Sequence, residues 1–175
     1  MKHILFATVV IGIAALTRFL PHPPNVTPLA ALALTGALYL DRRFAFILPL
    51  AAMLVSDLFL GIHRMMPFVY VSFAASSAIG LWLRQRRSVP AIAGGSLAGS
   101  VLFFVITNFG VWLVGDGGVY PKTWTGLIEC YVAAIPFFRN TVMGDLVYVA
   151  LLTGMFEFAR RWFPAWAMPP EPISR

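Results

Sequence analysis

Apolar runs long enough to cross a bilayer, separated by short basic clusters, constrain this chain more than any other feature. A membrane-spanning helix needs roughly 17–25 mostly apolar residues. Candidate runs fall at about residues 3–20, 28–40, 44–62, 67–84, 90–114 and 140–162. They end at Pro21-His22-Pro23-Pro24, Asp41-Arg42-Arg43, Gly61-Ile62-His63-Arg64, Arg84-Gln85-Arg86-Arg87, Gly115-Asp116-Gly117-Gly118 and Arg160-Arg161. Hydrophobic residues make up 59% of the chain and charged residues 11%. Soluble domains carry roughly 45–50% and about 25%, and a soluble fold of this size has too little interior for so much apolar surface. The expectation is an all-α membrane protein: one integral domain over residues 1–175, a multi-pass bundle of six transmembrane helices with lipid as its solvent.

The net charge of +6 does not point to nucleic acid, because the basic residues sit between the apolar runs. That pattern belongs to cytoplasmic loops facing anionic lipid. With six spans and the N-terminus inside, Lys2, Arg42, Arg43, Arg84, Arg86, Arg87, Arg160, Arg161 and Arg175 are cytoplasmic. The outer side keeps Arg18, Arg64, Lys122 and Arg139. This asymmetry follows the positive-inside rule and predicts that both termini are cytoplasmic. The first run resembles a signal peptide in charge and length, but Ala14-Ala15-Leu16-Thr17-Arg18 is a poor cleavage site, so a retained helix is expected.

Residues 115–139 form the outer connection before the sixth span. Their apolar stretch, Gly126–Phe138, is short for a span, which predicts an interfacial or re-entrant segment. A seventh span would carry Arg160-Arg161 to the outer side, against the charge rule. Gly95 and Gly99 form a GxxxG pattern, and Ala33 and Ala37 put small residues on the second run. Such faces let helix backbones approach closely. They serve either packing within the bundle or the docking of an energising membrane partner.

Polar residues inside apolar runs mark the candidate site, because an Asp or Arg at a helix centre costs roughly 2.5–3.5 kcal/mol on insertion scales. Under this threading Arg18, Asp57, Asn108, Arg139, Asn140 and Asp145 share the outer third of the bilayer. Trp112 lies four residues after Asn108 on the same face, and Thr141, Asp145 and Tyr148 form one stripe. Arg139-Asn140 is expected to open the sixth helix, where free N–H groups and the positive dipole end favour an anion. The outer loops add His22, Asn25, Thr27, His63, Tyr120, Trp124 and Tyr131. Two readings stand. The charged groups are structural ion pairs fixing helix register, or they line a polar cup open to the outside. In the second reading Asp57, Asn108, Arg139, Asn140 and Asp145 contact a small ligand. Arg18 and Asn25 then shape its lid, His63 reaches in from above, and Trp112 and Tyr120 stack on a planar group.

Catalytic and cofactor patterns are missing from the sequence. It has no nucleophile elbow, no HExxH and no phosphate loop. The three histidines, His3, His22 and His63, do not have metal-ligand spacing, and the single Cys130 cannot form an internal disulfide. No enzyme activity, cofactor or metal is expected. An intramembrane enzyme using Asp57 and Asp145 as an acid/base pair is the weaker rival. A structural or assembly protein without a ligand is the stronger one.

Arg18-Phe19-Leu20-Pro21-His22-Pro23-Pro24-Asn25-Val26-Thr27-Pro28, followed by a Gly/Ala-rich helix and then Ser56-Asp57, resembles the N-terminal half of S components of energy-coupling factor transporters. More narrowly, four segments resemble motifs of a family of uncharacterised small bacterial membrane proteins: residues 23–28, Ser56–Gly61, Thr107–Trp112 and Ile135–Thr141. The resemblance implies six helices, placement in the bacterial inner membrane, and a vitamin-like ligand held near the outer face for uptake. Two departures stand out. The loop from Gly61 to Pro67 lacks the Gly-Pro-Trp-rich sequence of many S components, and the small-residue motif falls in the second helix rather than the first.

Overall fold

The computed structural model describes residues 11–21, 23–115 and 119–162. The expected first span before residue 11, His22, residues 116–118 and the segment after Trp162 lie outside the described residues. Six helices make up the described chain: α1 (residues 11–17), α2 (Leu29–Tyr39), α3 (Arg42–Leu60), α4 (Met66–Leu83), α5 (Val89–Val114) and α6 (Trp124–Trp162). Three of them, α4, α5 and α6, are long and apolar enough to cross a membrane, and α2 and residues 44–60 are shorter apolar helices. The chain therefore has the character of a membrane protein.

Local chemistry sets several of the helix starts. Pro67 stands in the first turn of α4 and Pro90 in that of α5, where a missing N–H is harmless. Ser88 caps α5, its hydroxyl accepting from the Ala91 N–H at 3.4 Å. Thr123 caps α6 in the same way, accepting from the Gly126 N–H at 3.2 Å.

The centre of the bundle is α2. Its residues from Leu29 to Leu38 are nearly all buried, and it packs against α3, α4, α5 and α6. A helix without a polar face belongs in the core or in lipid; here it is core. Leu29, Leu32 and Ala33 join Leu48, Ala52, Met53 and Phe73 in one apolar cluster, while Ala31, Leu34 and Leu38 join Leu83, Ile92 and Val149 in another. The eleven residues of α2 rise only about 16 Å, half of a hydrocarbon core about 30 Å thick. Its C-terminal end lies beside the C-terminal ends of α4 and α6. There Arg84 Nε donates to the Ala37 carbonyl at 2.7 Å, and Tyr39 stacks on Phe156 at 5.1 Å. Its N-terminal end stops midway along α6, where Val26 meets Gly144. Thus α2 is a half-length helix, preceded by irregular chain.

The helices meet through small residues. A Cβ on Gly80 would stand 2.3 Å from the Leu34 carbonyl oxygen and 2.7 Å from the Ala37 Cβ. One on Gly95 would stand 2.4 Å from Leu83 Cδ1, and one on Gly99 3.2 Å from Ser76 Oγ. Ser77 Oγ donates to the Ala45 carbonyl at 2.7 Å, tying α4 to α3. Ala33, Ala37, Gly95 and Gly99 are all buried within the chain. The faces considered for an energising partner are therefore occupied by this chain's own helices.

The segment expected to be a separate interfacial or re-entrant element is instead the first part of α6. Residues 124–139 run unbroken into 140–162, so Arg139-Asn140 lies mid-helix and its N–H groups do not open a helix. Packing on α5 holds this part helical through Pro136. Tyr131 Oη donates to the Val105 carbonyl at 2.8 Å, and the Phe104 ring packs on Tyr131 and Phe138 at 5.5 and 4.8 Å. Pro136 itself is exposed. With 39 residues, α6 is about 58 Å long. Even at a tilt of about 40° it runs past the hydrocarbon core.

The α2–α4 contact leaves no room for a side chain. Gly80→Val is expected to destabilise the protein by about 1–3 kcal/mol through overpacking. Gly94→Ala, where a Cβ meets open space, is expected to be neutral or slightly stabilising. Thermal unfolding of both variants in the same detergent checks this. Equal midpoints would show that the close approach is not limiting.

Candidate functional site

The half-length of α2 leaves space in the other half of the bundle, and a cavity of about 300 Å³ lies there. The chain around it follows from three local features. The first is a polar clamp beside the end of α1. Arg18 Nη1 donates to Asp57 Oδ1 at 2.5 Å and to Ser56 Oγ, while Tyr70 Oη donates to Asp57 Oδ2 at 3.1 Å. Asp57 is 1% exposed and the Arg18 side chain 17%. A buried carboxylate needs such partners, because desolvation without compensation is costly. The clamp joins α1, α3 and α4.

The second feature is the loop between α1 and α2. The Val26 N–H donates to the Pro23 carbonyl at 3.1 Å, and Asn25 adopts a left-handed conformation with φ 64°. Asn tolerates that region better than most residues. The turn seats Val26 on α6, where a Gly144 Cβ would stand 3.2 Å from Val26 Cγ1. Asn25 and Thr27 thereby line the cavity. Pro28 gives α2 no side-chain cap, and the first helical bond runs from the Leu32 N–H to the Pro28 carbonyl at 2.8 Å. Leu29 and Ala30, in the first turn of α2, where N–H groups have no partner within the helix, line the cavity.

The third feature is the exit from α3. Gly61, at φ 100°, turns the chain after Leu60 in a conformation open to glycine. The turn brings His63 to the cavity, and the His63 carbonyl accepts from the Met66 N–H at 3.1 Å at the start of α4. Thr141 and Asp145 of α6 complete the polar lining, and Met53, Val69, Phe73 and Phe103 supply apolar walls.

Asp145 differs in kind from Asp57. It is 4% exposed and accepts from Ser100 Oγ at 2.6 Å. Among the described residues no cation stands within ion-pair distance of it.

The structure thus gathers Arg18, Asn25, His63 and Asp145 around one cavity, with Asp57 behind Arg18. The other candidate residues lie elsewhere. The Asn108 amide donates to the Phe104 carbonyl of its own helix at 2.7 Å. Trp112 Nε1 donates to the Pro121 carbonyl at 3.0 Å, beside Lys122, whose ammonium bonds to the Trp112 and Leu113 carbonyls and caps α5. Tyr120 belongs to the same α5–α6 connection, Arg139 is exposed, and Asn140 is half-buried within α6. None of these five lines the cavity. Ser96 and Ser100, which surround Asp145, do not stand out in the sequence. Their i, i+4 spacing reads there as part of the small-residue seam.

Over residues 1–166 the sequence matches the family of unknown function DUF6580. The chain belongs to this family. No curated protein and no solved structure matches it. Membership brings no activity with it, so the reading of this DUF6580 chain rests on its own cavity and side chains.

The clamp and the cavity are physically linked at Arg18. Arg18→Ala would leave the Asp57 carboxylate buried with Tyr70 Oη as its remaining side-chain donor among the described residues. A loss of about 3–5 kcal/mol is expected, whereas the double variant Arg18→Met/Asp57→Met is expected to recover much of it. Unfolding midpoints of the single and double variants test the coupling. Additive losses would show that the two groups do not act as a pair.

Proposed function

We propose that this chain is a membrane-embedded binding protein for a small, vitamin-like molecule. In this reading it is the substrate-binding component of an uptake system, related in form to the S components that its N-terminal half resembles. Its six helices all take part in a bundle with both termini on the cytoplasmic side of a bacterial inner membrane. The cavity opens toward the outside. The distribution of Arg84, Arg86, Arg87, Arg160 and Arg161 supports that orientation.

The observation that carries the reading is the cavity itself. Its volume of about 300 Å³ falls at the lower end of the roughly 300–1,000 Å³ typical of small-molecule sites. Its lining combines apolar walls with a few polar groups, as such sites do. Arg18, His63 and the uncapped start of α2 favour an anionic group on the ligand, while Asp145 and Thr141 favour a donor. A half-length helix whose N-terminus faces a midplane cavity is also the arrangement by which many transporters hold anionic substrate groups.

Native mass spectrometry of the gently purified protein tests the proposal. A co-purifying small molecule of defined mass is expected. Its occupancy should fall at least tenfold in Asn25→Ala and His63→Ala and persist in Asn108→Ala, whose side chain lies outside the cavity. Only lipid in every preparation, with no small molecule retained at any detergent concentration that keeps the fold, would overturn it.

A further inference from the structure

A second, much smaller cavity lies on the other side of Asp145. It measures about 10 Å³ and is lined by Ser76, Gly95, Ser96, Gly99 and Asp145, with Ala30, Ala31, Leu34 and Val149 closing it. That is close to the space needed to hold one water-sized particle. Four helices meet there: α2, α4, α5 and α6.

The polar groups around this space are incompletely satisfied. Ser96 is 3% exposed, and its Oγ has no hydrogen-bond partner. A buried hydroxyl left this way costs about 1–3 kcal/mol, and native structures rarely tolerate it without a ligand, ion or water. Asp145 is as deeply buried and has one donor, Ser100 Oγ, at 2.6 Å. Ser76 Oγ donates to the Ser72 carbonyl at 3.2 Å, which leaves its oxygen lone pairs available to accept. The lining residues therefore carry a carboxylate and two hydroxyls, and no positive charge.

We propose that this cavity is a binding site for a dehydrated monovalent metal cation, with Na⁺ as the probe. All the available donors are oxygen, the ligand type of hard cations. There is one carboxylate, and among the described residues no cluster of three or more His, Cys, Asp or Glu, so a single positive charge is what the site neutralises. The space admits one water-sized particle, so an ion there is held without its hydration shell. The ion supplies the countercharge that Asp145 lacks and the partner that Ser96 lacks. Because Asp145 also lines the large cavity, the ion lies within one side chain of the proposed ligand.

The test uses the full-length protein in detergent, without added ligand, so that it does not depend on the small-molecule reading. Thermal unfolding is followed in NaCl against KCl and choline chloride at equal ionic strength. Na⁺ is expected to raise the midpoint saturably above that in choline chloride, by about 5 °C at high occupancy. The rise should vanish in Asp145→Asn and fall by more than half in Ser96→Ala. Ser96→Ala removes an unpartnered hydroxyl and is expected to fold, so it decides the matter if Asp145→Asn does not. Superimposable curves in NaCl and choline chloride would assign the space to water and overturn the proposal. So would a Na⁺ effect undiminished in Ser96→Ala and in every folded Asp145 variant. A failure here leaves the mass-spectrometric test untouched, and the reverse holds too.

Discussion

The length of α2 is the constraint on which the rest of the structure depends. Eleven residues reach about 16 Å, so the chain before α2 must travel through the protein as irregular backbone. Irregular backbone at such depth is tolerated only where it is buried in protein or borders a cavity, because its N–H and C=O groups need partners. The turn around Asn25, the seat of Val26 on Gly144 and the uncapped start of α2 all follow. The cavity lies at the N-terminal end of this short helix, lined there by Asn25, Thr27, Leu29 and Ala30. The small residues of α4 and α5 answer the same constraint, because Gly80, Gly95 and Gly99 let neighbouring helices close tightly around and beside this short central rod.

Two buried carboxylates in this frame are handled in opposite ways. Asp57 is saturated: a guanidinium and a phenol hold both of its oxygens. Such a pair fixes the relative positions of α1, α3 and α4, and its charge serves structure. Asp145 has a hydroxyl and two cavities instead. In a low-dielectric interior an unpaired carboxylate is expensive, and membrane proteins keep such groups where they act on ions or substrates. Asp57 has the partners of a structural ion pair, whereas Asp145 lines the cavity on which the proposed binding function rests.

Much of this was legible in the sequence, for identifiable reasons. Arg18, Asp57 and Asp145 are isolated charges in apolar runs, so their cost made them visible without a fold. The shortness of the second run was equally plain, since Asp41-Arg42-Arg43 cuts it off. Its central position was not. A helix apolar on all sides fits lipid or core equally well, and only the close approach of Gly80 to Leu34 and Ala37 decides the matter. Sequence alone starts the sixth helix near Arg139-Asn140, because Gly126–Phe138 is short for a span and a seventh span breaks the charge rule; the structure starts it at Trp124. Non-local packing of Phe104 on Tyr131 and Phe138 outweighs that local signal. Asn108, Trp112 and Tyr120 share a depth with the others in the threaded sequence, but a shared depth is not a shared site. Depth places residues in a layer, whereas the face of each helix decides which of them meet. Asn108 gives its amide to its own backbone, and Trp112 closes the end of α5.

The shared position of Asp145 has a thermodynamic consequence for the two proposals taken together. If an ion on one side and a ligand on the other both contact the same carboxylate, each alters the free energy of binding the other by the same factor. The sign follows from charge. A ligand that turns an anionic group toward Arg18 and His63 and a neutral donor toward Asp145 gains from a cation that fixes the carboxylate, so the two cooperate. A ligand that brings its own positive charge to Asp145 competes with the ion. Cooperation would couple the proposed ligand binding to an ion gradient. Competition would instead make the ion a stabiliser of the empty state, released as the ligand enters. The same side chain supports either outcome, and the ligand's charge at Asp145 selects between them.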